Sequence, residues 1–264
     1  MMPTREGLAC GLLALCMLSA AVAQSPFDGK WKLDNDATQS TVHYDYLLQD
    51  GNYRCTSCNP PIAVLADGKD HKIAGEPCYD AVRVTAIDAR TTEETDKRNG
   101  KTVGSTRIQV SADGNTATVD WTEMCNAKGD VVSGKDILSR LASGPAGAHA
   151  ISGSWKVSKR VNRSENAMLI TLKLAGDHFS FWDPAGQGYD AKLDGTETPF
   201  QGDLSHTFVS VRRLEENSVE ETDKRDGKVV QVSRFVVASN GKDMTVAVYD
   251  KVKGTNHQWV LHKQ

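Results

Sequence analysis

Hydrophobic and polar side chains alternate along much of this chain, in short runs that end at turn-forming residues. Residues 81–87 alternate in this way, and residues 207–213 repeat the pattern. Successive side chains of a strand point to opposite faces of a sheet, so this alternation is typical of strands with one buried face. Residues 164–174 fit either a helix or a strand, and no stretch has a long amphipathic helical period. The pattern predicts an all-β protein in which antiparallel strands follow one another.

One charged segment occurs twice in the chain. Glu-Glu-Thr-Asp-Lys-Arg occupies residues 93–98 and again residues 220–225, and the match covers eight of the nine positions in residues 93–101. A repeat of this length indicates two copies of one folding unit. An Asn-Gly pair follows the first copy and an Asp-Gly pair follows the second. Both pairs predict tight hairpin turns, because the two central residues of such a turn need a positive φ.

The repeated segment has two interpretations. Its charges alternate in sign and it lacks large apolar residues, so it is first predicted to be a polar strand that leads into a hairpin. In the second interpretation, some of its side chains face the mouth of a cavity and select ligands. The residues concerned are Glu94, Asp96 and Arg98 in the first copy and Glu221, Asp223 and Arg225 in the second.

Each repeat opens with a Gly-x-Trp motif, formed by Gly29 and Trp31 in the first copy and by Gly153 and Trp155 in the second. A glycine lets the backbone approach its neighbours closely, and a buried tryptophan removes up to about 250 Å² from water. These four residues are therefore predicted to anchor the barrels. The predicted division of the chain is a signal sequence at 1–23, a first β-barrel repeat at 24–141, a linker at 142–150 and a second β-barrel repeat at 151–264.

The first residues have the features of a secretory signal sequence. Arg5 precedes an apolar run at residues 8–18, and Ala-Val-Ala at residues 21–23 fits a cleavage site. No later stretch approaches the roughly 20 apolar residues of a membrane span, so no integral membrane segment is predicted. The sequence thus predicts a periplasmic or secreted protein. A net charge of −3 without a Lys/Arg cluster argues against nucleic acid as a partner.

Four of the six cysteines lie beyond the predicted signal sequence, at Cys55, Cys58, Cys78 and Cys125. An even number of cysteines in an exported chain indicates disulfides. Three pairings are possible, and a tight Cys55–Cys58 loop together with a Cys78–Cys125 bridge is favoured. The Cys-x-x-Cys pair leaves a redox function as an alternative, although Asn-Pro-Pro follows it in place of residues that would continue a helix.

Motifs for other chemistry are sparse. No two histidines have metal-ligand spacing, and the sequence has neither a nucleophile elbow nor a phosphate-binding glycine loop. We therefore predict no enzyme activity, no catalytic residue, no metal and no cofactor. The second repeat concentrates aromatic residues around one loop, where they either pack a core or form the lip of an apolar ligand pocket. These residues are Phe179, Phe181, Trp182 and Tyr189.

The Gly-x-Trp opening, followed by an antiparallel meander, resembles the calycins, which include lipocalins and fatty-acid-binding proteins. Thr-Asp at residues 95–96 is similar to the Thr-Asp-Tyr motif of lipocalins, with Lys97 in place of the tyrosine. The resemblance implies that Arg140 packs over a tryptophan, and the second repeat offers His262 or Lys263 at the matching position. The paired units also resemble exported bacterial proteins of unknown function.

This resemblance implies two tandem calycin-like barrels. The expected function is non-catalytic binding of a small apolar or amphipathic molecule. One alternative is a structural or interaction protein of the cell envelope whose barrels are packed solid, and a less favoured one is a Cys-x-x-Cys redox protein. The interior of each barrel, hollow or filled, discriminates between the first two.

Overall fold

The computed structural model of the protein describes residues 25–41, 43–58, 60–75, 78–126 and 128–264, so the predicted signal sequence lies outside the described residues. The all-β prediction is confirmed: the described elements are twenty strands and one 3₁₀ turn, Glu165–Ala167. The strands are β1 (Gly29–Ser40), β2 (His43–Gln49), β3 (Asn52–Cys55), β4 (Ile62–Leu65), β5 (Asp67–Lys72), β6 (Ala81–Asp88), β7 (Thr91–Arg98), β8 (Lys101–Val110), β9 (Thr116–Glu123), β10 (Val132–Ser143), β11 (Gly153–Arg163), β12 (Leu169–Ala175), β13 (His178–Trp182), β14 (Gly188–Lys192), β15 (Thr198–Pro199), β16 (Phe208–Glu215), β17 (Ser218–Arg225), β18 (Lys228–Val237), β19 (Asp243–Asp250) and β20 (Thr255–Lys263).

The strands form two ten-stranded antiparallel sheets, each curled into a nearly closed barrel. One sheet has the order β4-β3-β2-β11-β10-β9-β8-β7-β6-β5, and we call it the cysteine barrel because it carries the four cysteines. The other has the order β14-β13-β12-β1-β20-β19-β18-β17-β16-β15, and we call it the aromatic barrel. The predicted hairpin turns are present between β7 and β8 and between β17 and β18. Their φ angles are 50° and 76° at Asn99 and Gly100, and 48° and 72° at Asp226 and Gly227.

The opening strands of the two repeats are exchanged between the barrels. β1 lies between β12 and β20 of the second repeat, whereas β11 lies between β10 and β2 of the first. The contiguous division into 24–141 and 151–264 therefore does not describe the sheets. The cysteine barrel spans β2 to β11, and the aromatic barrel combines β1 with β12 to β20.

Local pairing explains this exchange. The short connection at residues 144–152 folds β11 back onto β10, and this pairing sets Trp155 opposite Arg140 and Gly153 opposite Ser143. Closing so short a loop costs little conformational entropy. Gly153 has a φ of +125°, and a Cβ there would lie 2.2 Å from the carbonyl oxygen of Ala142. Glycine is therefore required where the two strands approach.

Each opening tryptophan is a core residue of the barrel that its strand enters. Trp31 and Trp155 are completely buried, and their indole nitrogens donate to the carbonyl oxygens of Phe27 (2.7 Å) and Ile151 (2.8 Å). The closing-strand cation of each repeat covers the tryptophan of the other repeat. The Arg140 guanidinium lies 3.9 Å from the Trp155 ring centroid, and Lys263 Nζ lies 5.2 Å from that of Trp31. The expected packing of a cation over a tryptophan is present, but between repeats.

Candidate functional site

The cysteine barrel encloses a cavity of about 420 Å³. Its apolar walls come from the inward faces of four strands, and its aromatic side is formed mainly by β2 and β3. Tyr44 and Tyr46 alternate with Asp45 on β2, so their rings share one face, with centroids 6.0 Å apart. The Tyr53 ring lies 6.3 Å beyond that of Tyr46. The apolar and indole side chains that complete the lining are Val84, Ile108, Val119, Trp121 and Leu138.

The repeated charged segment, which forms β7, directs two carboxyl groups into the barrel. Its outward side chains pair on the surface: Glu93 lies 3.5 Å from Arg107, and Lys97 lies 2.9 Å from Asp70. Glu94 follows Glu93 on β7, so its side chain points to the other face of the sheet, where it borders the cavity. Asp96 borders an adjoining cavity of about 320 Å³. The segment is thus a strand that enters a hairpin, as first predicted, and its alternate carboxyls also face cavities.

Burial raises the pKa of the inward carboxyl groups. Desolvation, reinforced by the neighbouring Asp96, raises the pKa of Glu94 to about 7. Desolvation and the charge of Glu123 raise the pKa of Asp96 to about 6. Desolvation also raises the pKa of Glu123. Within the described ranges, no Lys, Arg or His forms an ion pair with any of these three groups. A hydrogen bond from the Tyr53 hydroxyl opposes this rise in the pKa of Glu94.

The positive charge of Arg163, which also borders the cavity, is paired with a carboxylate. Arg163 Nη2 lies 3.1 Å from Asp136 Oδ1, and its guanidinium lies 5.0 Å from the Trp121 ring centroid. The Trp121 indole donates to Asp136 as well, at 3.3 Å. This cluster fixes the orientation of the Trp121 ring beside the cavity. Since Arg163 is paired with Asp136, it does not compensate the carboxyls on β7 and β9.

In the aromatic barrel, packed side chains occupy the interior. The Tyr189 hydroxyl donates to Glu221, and Gln231 Nε2 donates to Asp223 at 3.1 Å. The rings of Phe179 and Phe235 meet at 5.9 Å. The described interior is a continuous packed cluster. Its aromatic members are Phe27, Trp31, Phe179, Phe181, Tyr189, Phe200 and Phe235.

The residues predicted to form a pocket lip lie mostly in this packed cluster. Phe179 and Tyr189 are completely buried, and Phe181 stacks on Tyr189 with centroids 5.8 Å apart. Trp182 is half-buried at the end of β13. Phe179, Phe181 and Tyr189 thus pack as core, whereas Trp182 is outside that cluster. The cavity lies in the other barrel, where no sequence motif marks Tyr44, Tyr46, Tyr53 or Trp121.

Two substitutions between the repeats place a smaller residue in the cysteine barrel. At the offset of 127 residues, Ile108 of the cysteine barrel corresponds to Phe235, and Gly104 corresponds to Gln231. The smaller residue is in the cysteine barrel in both cases. Oδ1 of Asp96 and Oδ1 of Asp223 are both buried without a hydrogen-bond partner, but Asp223 Oδ2 accepts the bond from Gln231. Of the two smaller residues, Ile108 borders the cavity.

Both disulfides have the favoured pairing, Cys55–Cys58 and Cys78–Cys125. Cys55 is completely buried on β3, so it is not at a helix N-terminus, where the thiol pKa of redox-active pairs is lowered. Cys58 borders the larger cavity and the second disulfide borders the smaller one. Both disulfides thus support the walls of the cavities.

Protonation of Glu221 is expected to make the stability of the aromatic barrel depend on pH. Desolvation, with the charge of Asp223, raises its pKa from 4.5 to about 8. The folded state therefore binds more protons between these values, and the free energy of unfolding falls as the pH rises through that window. Glu221→Gln keeps an acceptor for Tyr189 and is expected to flatten this dependence and to stabilise the protein above pH 8. Thermal unfolding as a function of pH measures the effect. Glu220→Gln, on the outer face beside Arg234, is the control, and an equal change in both variants would contradict the assignment.

Within the ranges that the structure describes, no group of three His, Cys, Asp or Glu side chains is arranged to hold a metal ion. No helix in the same ranges is long and apolar enough to cross a membrane. A scan against protein-family models and a search of curated proteins found no match to this chain.

Proposed function

We propose that this chain is an exported, non-catalytic binding protein, and that its ligand is a small apolar or amphipathic molecule held in the cysteine barrel. The observation that carries the proposal is the cavity of about 420 Å³. Small-molecule sites typically measure about 300–1,000 Å³ and combine apolar walls with a few converging polar groups. This cavity has aromatic walls and the Glu94 and Glu123 carboxyls.

The calycin resemblance and the predicted export support this proposal. Calycin-like barrels imply an internal ligand site, and the chain has two barrel-like sheets with a tryptophan on each opening strand. Two disulfides are compatible with a periplasmic or extracellular location. The packed interior of the aromatic barrel favours a structural role for that half of the protein, which is the second candidate function.

Titration with a neutral apolar fluorescent probe, N-phenyl-1-naphthylamine, tests the proposal. We expect saturable binding at one site per chain, in the cavity of the cysteine barrel, because the described interior of the aromatic barrel is packed. Energy transfer from tryptophan to the probe should fall in Trp121→Phe, with the remainder coming from the other tryptophans, such as Trp155 in the core of the same barrel. The matched control is Trp259→Phe, since Trp259 is 38% exposed on the aromatic barrel. No saturable binding, with no small molecule found by native mass spectrometry of protein from its own host, would refute the proposal.

A further inference from the structure

We propose that the cavity of the cysteine barrel selects amines, that is, molecules with an apolar or aromatic body and a protonated nitrogen that contacts Glu94, Asp96 and Glu123. This inference rests on the proposed function, because it names the chemical class of ligand for the same site. Three features of the structure support it: the arrangement of the carboxyls, the missing counter-charge and the aromatic wall.

Two of the three carboxyl residues flank one glycine, and the third lies next to them on the same face. Gly104 on β8 is paired with Asp96 on β7 and with Glu123 on β9. A Cβ at Gly104 would lie 2.7 Å from Asp96 Oδ2, so the Asp96 carboxyl lies over the space that a side chain would occupy. Glu94 stands two residues before Asp96 on the same face of β7. The two cavities share Trp121 and Glu123 in their linings. A ligand in the larger cavity can therefore reach all three groups.

Among the residues that the structure describes, no cation forms an ion pair with these groups. The nearest cation in the lining, Arg163, is paired with Asp136, and Lys97 points outward to Asp70. The repeat offers an internal comparison, since Gln231 donates to Asp223 at the position that Gly104 occupies in the cysteine barrel. Oδ1 of both aspartates is buried without a partner, but Asp223 Oδ2 accepts the bond from Gln231. Burying a carboxyl without a donor is costly, and an ammonium group supplies up to three donors together with the positive charge.

The aromatic wall suits the rest of such a ligand. Tyr44, Tyr46 and Tyr53 form a continuous row of rings, and Trp121 borders the same cavity. Aromatic faces attract cations within about 6 Å of the ring centroid and also bury apolar surface. An amine with an aromatic body therefore matches both the charge and the shape of the site. An anion would face the carboxyls, and the cation that borders the cavity, Arg163, is paired with Asp136 through Nη2 and keeps a buried Nε–H without a partner.

Amine binding should strengthen as the pH rises through about 7, where Glu94 loses its proton. The groups that face Glu94 are Asp96 on its own strand, Tyr53 on β3 and Tyr46 on β2. Both tyrosines have raised pKa values because they are buried, so they stay neutral over this range. Asp96 and Glu123 ionise in the same direction as Glu94. A neutral ligand has no such dependence.

Three probes with a common phenylethyl body test the inference: 2-phenylethylamine, 2-phenylethanol and 3-phenylpropionate. Isothermal titration calorimetry at neutral pH is expected to give at least about tenfold tighter binding of the amine than of the alcohol, with no detectable binding of the carboxylate. A tenfold ratio corresponds to about 1.4 kcal/mol. Glu94→Gln and Asp96→Asn should reduce the amine affinity towards that of the alcohol while leaving the alcohol affinity unchanged. Asp120→Asn is the matched control, because Asp120 lies outside the cavity lining and pairs with Lys135 at 2.9 Å.

The outcomes separate this inference from the proposed function. If the alcohol or the carboxylate binds as tightly as the amine, or if Glu94→Gln and Asp120→Asn behave alike, amine selection is overturned while a binding site remains. If neither the three probes nor N-phenyl-1-naphthylamine binds the wild-type protein, the proposed function fails and the inference with it. Circular dichroism of each variant shows that it is folded, and the unchanged alcohol affinity is the second check on an intact cavity.

Discussion

Trp155→Ala is expected to unfold the cysteine barrel at a lower denaturant concentration and to leave the aromatic barrel at its wild-type stability. Trp155 belongs to the second repeat in sequence, but β11 carries it into the core formed by β2 to β10. The side chain is 1% exposed. Its indole N–H donates to the Ile151 carbonyl, and the Arg140 guanidinium packs on its ring. Removing a buried tryptophan of this kind costs about 3–5 kcal/mol.

Hydrogen exchange followed by mass spectrometry checks this expectation segment by segment. Trp155→Ala should lower protection in residues 43–143, whereas Trp31→Ala should lower it in residues 169–263. The two variants are matched controls for each other, because each tryptophan has the same indole-to-carbonyl bond and a cation over its ring. If each variant instead loosens the repeat that contains it in sequence, the barrels are contiguous and the strand exchange is wrong.

The exchange could not be predicted from the sequence for a physical reason. Both repeats open with Gly-x-Trp-Lys, so either opening strand offers a similar edge and a similar anchor to either barrel. The barrel that β11 joins is decided by its pairing with β10 across residues 144–152 and by the packing of Arg140 on Trp155. Both are contacts between different strands, which a pattern within one strand does not show. The hairpin turns, by contrast, were predictable, because Asn99-Gly100 and Asp226-Gly227 satisfy a local φ requirement.

The site was harder to predict than the fold. Alternation in β7 shows that Glu94 and Asp96 share a face, but a charged strand does not reveal which face is inside. The signal lay in the partner strand, because Val84 is paired with Glu94 and Val82 with Asp96, and both valines are buried. Directly opposite residues of paired strands share a face of the sheet. Clustered aromatic residues do not by themselves distinguish a core from a cavity wall, since Phe179, Phe181 and Tyr189 fill one barrel and Tyr44, Tyr46 and Tyr53 line the cavity of the other.

Ile108→Phe is expected to fill the cavity and to reduce binding of N-phenyl-1-naphthylamine at least about tenfold. Ile108 lines the cavity on β8, and the corresponding residue of the aromatic barrel is Phe235, whose ring packs 5.9 Å from that of Phe179. The substitution therefore introduces a residue that the repeated fold already accommodates at this position. Because the added ring enters open space, we expect a small change in the free energy of unfolding, in contrast to the cost of about 1–3 kcal/mol that overpacking has in a filled core.

Two further variants make the Ile108→Phe result specific to the cavity. Ile108→Val removes one methylene group and should keep probe affinity close to that of the wild type. Phe235→Ile should leave the affinity unchanged and destabilise the aromatic barrel, because it removes ring contacts from a filled core. Fluorescence titration and denaturant unfolding of the same three proteins separate the two effects. Undiminished binding by Ile108→Phe would place the ligand outside the cavity, whereas loss of binding with retained stability would show that the ligand occupies the space which Phe235 fills in the other barrel.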